Sequence, residues 1–143
     1  VTQTKRKIMK QHLAHIAIVV DDYDRAIAFY TEKLHFDLVE DTKMSEEKRW
    51  VLVRPKGAKE CSLLLAKGVN ADQKSRIGNQ TGGRVFLFLY TDDFQRDYQN
   101  LLLHKIKIVR EPSIEEYGIV AVFEDIYGNL WDLIESKKPK IPE

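Results

Sequence analysis

The chain has 143 residues, 43% of them apolar, and its 23 Lys and Arg against 22 Asp and Glu leave a net charge of +1. That is the size of one domain, or of two small units sharing a core, and the apolar content is enough to bury one. Scattered bases give no nucleic-acid footprint, no run approaches the roughly 18 apolar residues of a membrane span, and the single Cys61 excludes an internal disulfide and a cysteine-cluster zinc site.

Residues 1–11 read as an extension, basic and without an apolar segment behind it, which predicts no signal peptide and a cytoplasmic location. Met9 is a candidate native start, with the residues before it an addition. His15 to Val20 is a short β-branched run ending in acids, the pattern of a buried strand. Asp22 is a candidate N-cap, and Tyr23, Ala26, Ile27, Tyr30 and Leu34 follow the spacing of one helical face. Strands are expected over Phe36 to Glu40, Arg49 to Val53 and Ser62 to Ala66, with PKG (Pro55 to Gly57) as turn chemistry before the last. Residues 68–83, GVNADQKSRIGNQTGG, are polar and glycine-bearing, a linker or lid loop.

The order then recurs. A strand over Val85 to Tyr90 leads to Asp93 as N-cap and to a looser helical face of Phe94, Tyr98, Leu101 and Leu102. Strands are expected over Ile106 to Arg110, Ile119 to Glu124 and Leu130 to Glu135, with YGN (Tyr127 to Asn129) as the turn. Residues 137–143 form a tail expected to fray. Asp21, Asp22, Tyr23 and Arg25 fall on Asp92, Asp93, Phe94 and Arg96 at one constant offset, the 71 residues from Asp21 to Asp92, and Gly57 and Gly128 keep it. The chain thus contains a repeat of β-α-β-β-β, residues 12–67 and 84–136. The expected fold class is α+β: two tandem βαβββ modules forming a curled mixed sheet around a cleft.

A duplicated βαβββ unit carrying DDYDRAIAFYTEKLHF (Asp21 to Phe36) and VAVFEDIYGNLWDLIES (Val120 to Ser136) resembles the vicinal oxygen chelate superfamily. That superfamily holds glyoxalase I, extradiol dioxygenases and the fosfomycin- and bleomycin-resistance proteins. The resemblance covers residues 12 to 136 and identifies the fold better than the reaction. It implies a cleft where a divalent metal (Zn, Ni, Mn or Fe) can be held by ligands from the first and last strands of each module, and a homodimer, since such clefts are often built across two chains.

Carried over position by position, the first-strand ligand of module one falls on His15, and that of module two on Phe86, which cannot ligate. The last-strand ligand of module two falls on Asp132. Its counterpart in module one is Cys61 by strict offset, or Leu63 if the strand ends are aligned. Neither supplies the oxygen that a hard or borderline metal prefers. Glu60 should point away from the cleft if Cys61 points in. Tyr90 and Glu124 could substitute only in a different register. The metal set that the resemblance implies is therefore reduced to His15 and Asp132, with Cys61 possible.

Each candidate has a plainer reading beside it. His15 is a ligand or catalytic base, or a rim histidine with a hydrogen bond. Asp132, between Trp131 and Leu133, is a ligand or proton carrier, or one half of an ion pair with His15 or an arginine. Trp50, Phe86, Phe88, Tyr90, Phe123 and Trp131 are pocket aromatics or core, and Cys61 a pocket residue or a small buried hydrophobe. His35 and His104 end helices and suit the C-terminal dipole. Arg110, Glu115, Glu116 and Tyr117 are a polar cluster at the cleft mouth or a solvated loop.

No nucleotide, nucleophile-elbow or zinc-protease motif is present. The leading expectation is a small-molecule binding protein with a degenerate metal site, without nucleic-acid or membrane partners. The alternatives are a divalent-metal-dependent lyase or dioxygenase-type enzyme, and metal-free acid–base catalysis by His15 oriented by Asp132.

Overall fold

The computed structural model describes residues 8–137. The first seven residues of the extension and the tail after Lys137 lie outside them.

Module one runs β1 (His15–Val20), α1 (Tyr23–Ala28), β2 (Asp37–Lys43), β3 (Arg49–Arg54) and β4 (Ser62–Lys67). The acids start its helix as the pattern predicts, for the Asp22 carboxylate accepts from the Arg25 amide. Such a cap contributes about 1 kcal/mol. The helix does not stay α-helical. It widens after Ala28 into a π-helical turn, Phe29–Lys33, that buries Phe29 and Tyr30 together. The expected linker carries a short helix, α2 (Ala71–Ser75), capped by Asn70.

Module two repeats the plan with β5 (Leu87–Tyr90), α3 (Phe94–Leu103), β6 (Ile108–Glu115), β7 (Gly118–Glu124) and β8 (Leu130–Ser136). Asp93 caps α3 by accepting from the Arg96 amide. Strand β6 runs five residues past its expected end and takes in Pro112, which an outer strand with register shifts tolerates.

Two four-stranded mixed sheets result, ordered β1-β4-β3-β2 and β5-β8-β7-β6, curled and not closed. In each, the first and last strands pair in parallel and the other neighbours are antiparallel. Alternation along the strands sends Ile18, Val20, Val51, Val53, Leu63 and Leu65 of the first sheet to the helix side. Phe123, Trp131 and Leu133 of the second do the same. Both sets belong to one buried cluster, so the modules share a core.

Specific polar bonds close the seam between modules. Tyr30 donates its hydroxyl to Asp125 Oδ2 at 2.6 Å, Asn100 Nδ2 donates to the Lys33 carbonyl at 2.7 Å, and Tyr127 donates to Asp21 at 2.7 Å. Burial and then the Asp125 charge push the Tyr30 hydroxyl well above its ordinary range. His35 does more than end a helix, since its Nε2 bonds Asn100 Oδ1 of the other module.

The linker is pinned as well. Gln80 presents its amide to the free edge of β1, accepting from the Val19 N–H and donating to the Ala17 carbonyl. That blunts an edge strand which would otherwise offer unpaired groups. Among the described residues, no helix is long and apolar enough to cross a membrane.

Candidate functional site

With the helices covering one side of each sheet, the opposite sides are left open. On the first sheet the alternation places His15, Ala17, Trp50, Leu52, Arg54 and Leu64 there. On the second it places Phe88, Tyr90, Asp132 and Ile134 there, because Phe88 is the ladder partner of Asp132 and Tyr90 of Ile134. Phe88 and Tyr90 are 59% and 64% exposed, unusual for aromatic strand residues.

His15 is exposed, its imidazole edge-on to the Trp50 indole with ring centroids 5.8 Å apart. Asp132 is partly buried between its ladder partners Phe88 and Val122. Desolvation raises its carboxyl above the ordinary value, against a smaller opposing pull from Arg110. Among the described residues no hydrogen bond or ion pair joins His15 to Asp132. They lie on different sheets.

A raised carboxyl pKa means that the folded protein holds this proton more tightly than the unfolded chain does. The ionised form therefore opposes folding once the pH is above the raised value, and the opposition vanishes below the unfolded value, about 3.9. Asp132→Asn should accordingly raise Tm at about pH 7 and leave it unchanged near about pH 3. Thermal melts at the two pH values check this, and a lower Tm for the variant at neutral pH would contradict it.

Three expectations need correction. Phe123 and Trp131 do not line the open faces: their rings stack with centroids 5.8 Å apart on the helix side, with Tyr30 and Phe36 against Trp131, and Phe123 borders a cavity at the seam between the modules instead. Trp131 adjoins Asp132 along one strand, so the two cannot share a face. Phe86, just before β5, is partly buried against the core instead of lining an open face.

The third concerns register. Ala17, 71 residues before Phe88, is the ladder partner of Leu64 as Phe88 is of Asp132. The structural counterpart of Asp132 is thus Leu64, neither Cys61 nor Leu63. The turn after Gly57 has three more residues than the turn after Gly128, and the offset slips there. Cys61 falls in that turn, partly buried, with only a long 3.8 Å contact from its Sγ to the Ser62 carbonyl.

A cavity of about 1050 Å³ opens at the seam, lined among others by Phe36, Lys56, Tyr90, Arg96, Asn100 and Phe123, so that Tyr90 borders both this cavity and the open face. Its charged groups and its His35–Asn100 pair are already engaged. Arg96 holds Asp92 and Asp97, Lys56 holds Asp37, and His35 holds Asn100. Among the described residues the His15 and Asp132 side chains, which stand on the open faces, make no hydrogen bond or ion pair. Sequence reasoning missed one more residue there, Arg54, which alternation from Trp50 would have found.

Comparison with known proteins fits this geometry. The family model of the Glyoxalase/Bleomycin resistance protein/Dioxygenase superfamily matches residues 12–133. The chain belongs to that superfamily. An uncharacterized protein of Shewanella frigidimarina (strain NCIMB 400) is 60% identical over 128 residues, 89% of this chain and 95% of that protein. Among solved structures, UcmS2 superposes with a TM-score of 0.77 at 31% identity, covering 88% of this chain and 98% of its own. TnmS3 of Streptomyces sp. CB03234, described as an antibiotic binding protein, gives 0.72 at 28% identity, covering 92% and 100%.

The divalent metal that this superfamily's fold implies does not fit the residues of a single chain. His15 and Asp132 lie apart on separate sheets, and their counterparts are Phe86 and Leu64, which cannot ligate. Among the described residues no three His, Cys, Asp or Glu side chains converge. A catalytic zinc site normally takes three protein ligands.

Proposed function

We propose that this superfamily member binds a small organic molecule between the open face of the first sheet and that of the second, with the two faces brought together in a homodimer. The observation that carries the reading is the exposure of Phe88 and Tyr90 beside Asp132, opposite a face bearing Trp50 and His15. Flat aromatic surface with a few fixed polar groups is what small-molecule recognition uses. The likeness to an antibiotic binding protein supports it. Sequestration of this kind needs shape and contact, and no reacting group.

Sedimentation velocity should give a dimer at micromolar concentration. Calorimetric screening of aromatic compounds should find ligands whose affinity falls about tenfold or more in Phe88→Ala and Tyr90→Ala, the loss expected of central aromatic contacts. A monomeric chain, or unchanged affinities in both variants, would overturn the reading.

The raised carboxyl of Asp132 favours a second reading, acid–base catalysis with His15 once the two faces meet. His15→Ala and Asp132→Asn decide it. Turnover of a bound ligand that survives both substitutions ends that reading.

A further inference from the structure

We propose that Arg54 anchors an oxyanion of the ligand, so that the molecule taken by the open face is an organic acid with an apolar or aromatic body. This rests on the small-molecule reading above and names the ligand's chemical class. Along β3, Val51 and Val53 enter the core, while Trp50, Leu52 and Arg54 face the other way. Leu52 and Val53 pair with Leu64 and Leu63 of β4, and the register continued by one residue sets Arg54 beside Ser62. Ser62 is in turn the partner of His15. Arg54, Ser62 and His15 thus form one row across the face, with Leu52 and Leu64 in the next.

Arg54 is partly buried, and its Nε is a buried nitrogen with no hydrogen-bond partner among the described residues. Trp131 Nε1 shares that condition, but it lies inside the core. The guanidinium makes one long contact, Nη1 to the Lys59 carbonyl at 3.5 Å. The carboxylate across the β2–β3 ladder, Asp37, is held instead by Lys56 Nζ at 2.6 Å. Arg25, Arg49 and Arg96, by contrast, each hold a carboxylate.

A guanidinium stays charged at any working pH and presents a planar fork of donors that matches an oxyanion in two parallel bonds. Leaving one of those donors buried and unmet is costly, so its position argues for an acceptor that arrives from outside the chain. Ser62 and His15 add polar groups in the same row. Trp50 and Leu64, both partly exposed, offer apolar surface for the rest of the molecule. Carboxylates and sulfonates share this chemistry and are separated in the test.

The test titrates the full chain with 2-naphthoate, 2-naphthalenesulfonate and neutral 2-naphthamide, following tryptophan fluorescence at low salt. The wild type should bind naphthoate at least tenfold more tightly than the amide, and the sulfonate arm shows which oxyanion fits better. Arg54→Gln should bring both anions to the amide's affinity and leave the amide unchanged. Arg54→Lys keeps the charge without the fork and should recover only part of the preference.

Equal binding of acid and amide by the wild type would overturn the anchor while leaving small-molecule binding intact. An acid preference that survives Arg54→Gln would do the same. If none of the three compounds binds, both this inference and the reading beneath it fall. Conversion of a wild-type dimer to a monomer by Arg54→Gln would place Arg54 in the subunit interface and overturn the proposal.

Discussion

Asp125→Ala is expected to cost about 3–5 kcal/mol and to lower Tm by roughly 10–20 °C, near the limit of what one substitution does. Asp125 is 5% exposed and accepts four hydrogen bonds. Its Oδ1 takes the amides of Tyr127 and Asn129, while Oδ2 takes the Tyr30 hydroxyl and Asn129 Nδ2. Alanine strands all four donors, two of them on side chains that are themselves buried. It also opens the seam, because Tyr30 belongs to module one.

Asp125→Asn should fall between the wild type and alanine, since an amide nitrogen must turn toward one pair of donors. Tyr30→Phe should cost about 1.5–3 kcal/mol, the share of one buried hydrogen bond to a charged group. Urea denaturation of the three variants measures the order. An Asp125→Ala variant within 1 kcal/mol of wild type would show that the network does not hold the modules together.

Gly78→Ala should cost about 2–4 kcal/mol, from a close approach added to a left-handed backbone. Its φ is +76°, and an added Cβ would stand 1.9 Å from the Tyr127 carbonyl oxygen and 2.9 Å from its carbon. Both obstacles are backbone, so the linker must leave Tyr127 to make room. Gly82 is the internal control, with φ of +69° and nothing within 4 Å. Gly82→Ala should cost only the backbone share, about 1 kcal/mol.

Hydrogen exchange adds a local readout. Displacing the linker withdraws Gln80 from β1, and the Val19 amide should lose protection in Gly78→Ala but not in Gly82→Ala. Equal protection in the two variants would separate the Gly78 contact from the pinning of that edge.

The plan of the fold was legible because it is written twice. The matching acids, caps and strand runs gave the β-α-β-β-β order, and β1 runs over the expected His15–Val20. What alternation and periodicity record is apolar volume, and they are blind to a hydroxyl at the end of a ring. Tyr30 therefore read as one more residue on a helical face, when its oxygen is the bond to Asp125. The π-helical turn carries no pattern of its own.

The site was less legible for two physical reasons. Aromatic residue types do not say which face they occupy, and strand parity sends Trp131 and Phe123 to the core while Phe88 and Tyr90 stay in the open. A fixed offset also holds only until a turn changes length. Arg54 belongs to no motif; alternation from Trp50 puts it on the open face, but only the folded chain shows that its Nε lacks an acceptor among the described residues.

The three additional residues in the turn after Gly57 leave the duplicated halves measured on slipped rulers. Independently of that slip, positions that mirror each other in the fold, Leu64 and Asp132 or Phe86 and His15, pair an apolar group with a polar one. One wall of the proposed site is basic, with Arg54 and His15, and the other is acidic and aromatic, with Asp132, Phe88 and Tyr90. A molecule with two unlike ends would meet walls that tell those ends apart, so in the proposed site the departure from two-fold likeness would give a guest a direction.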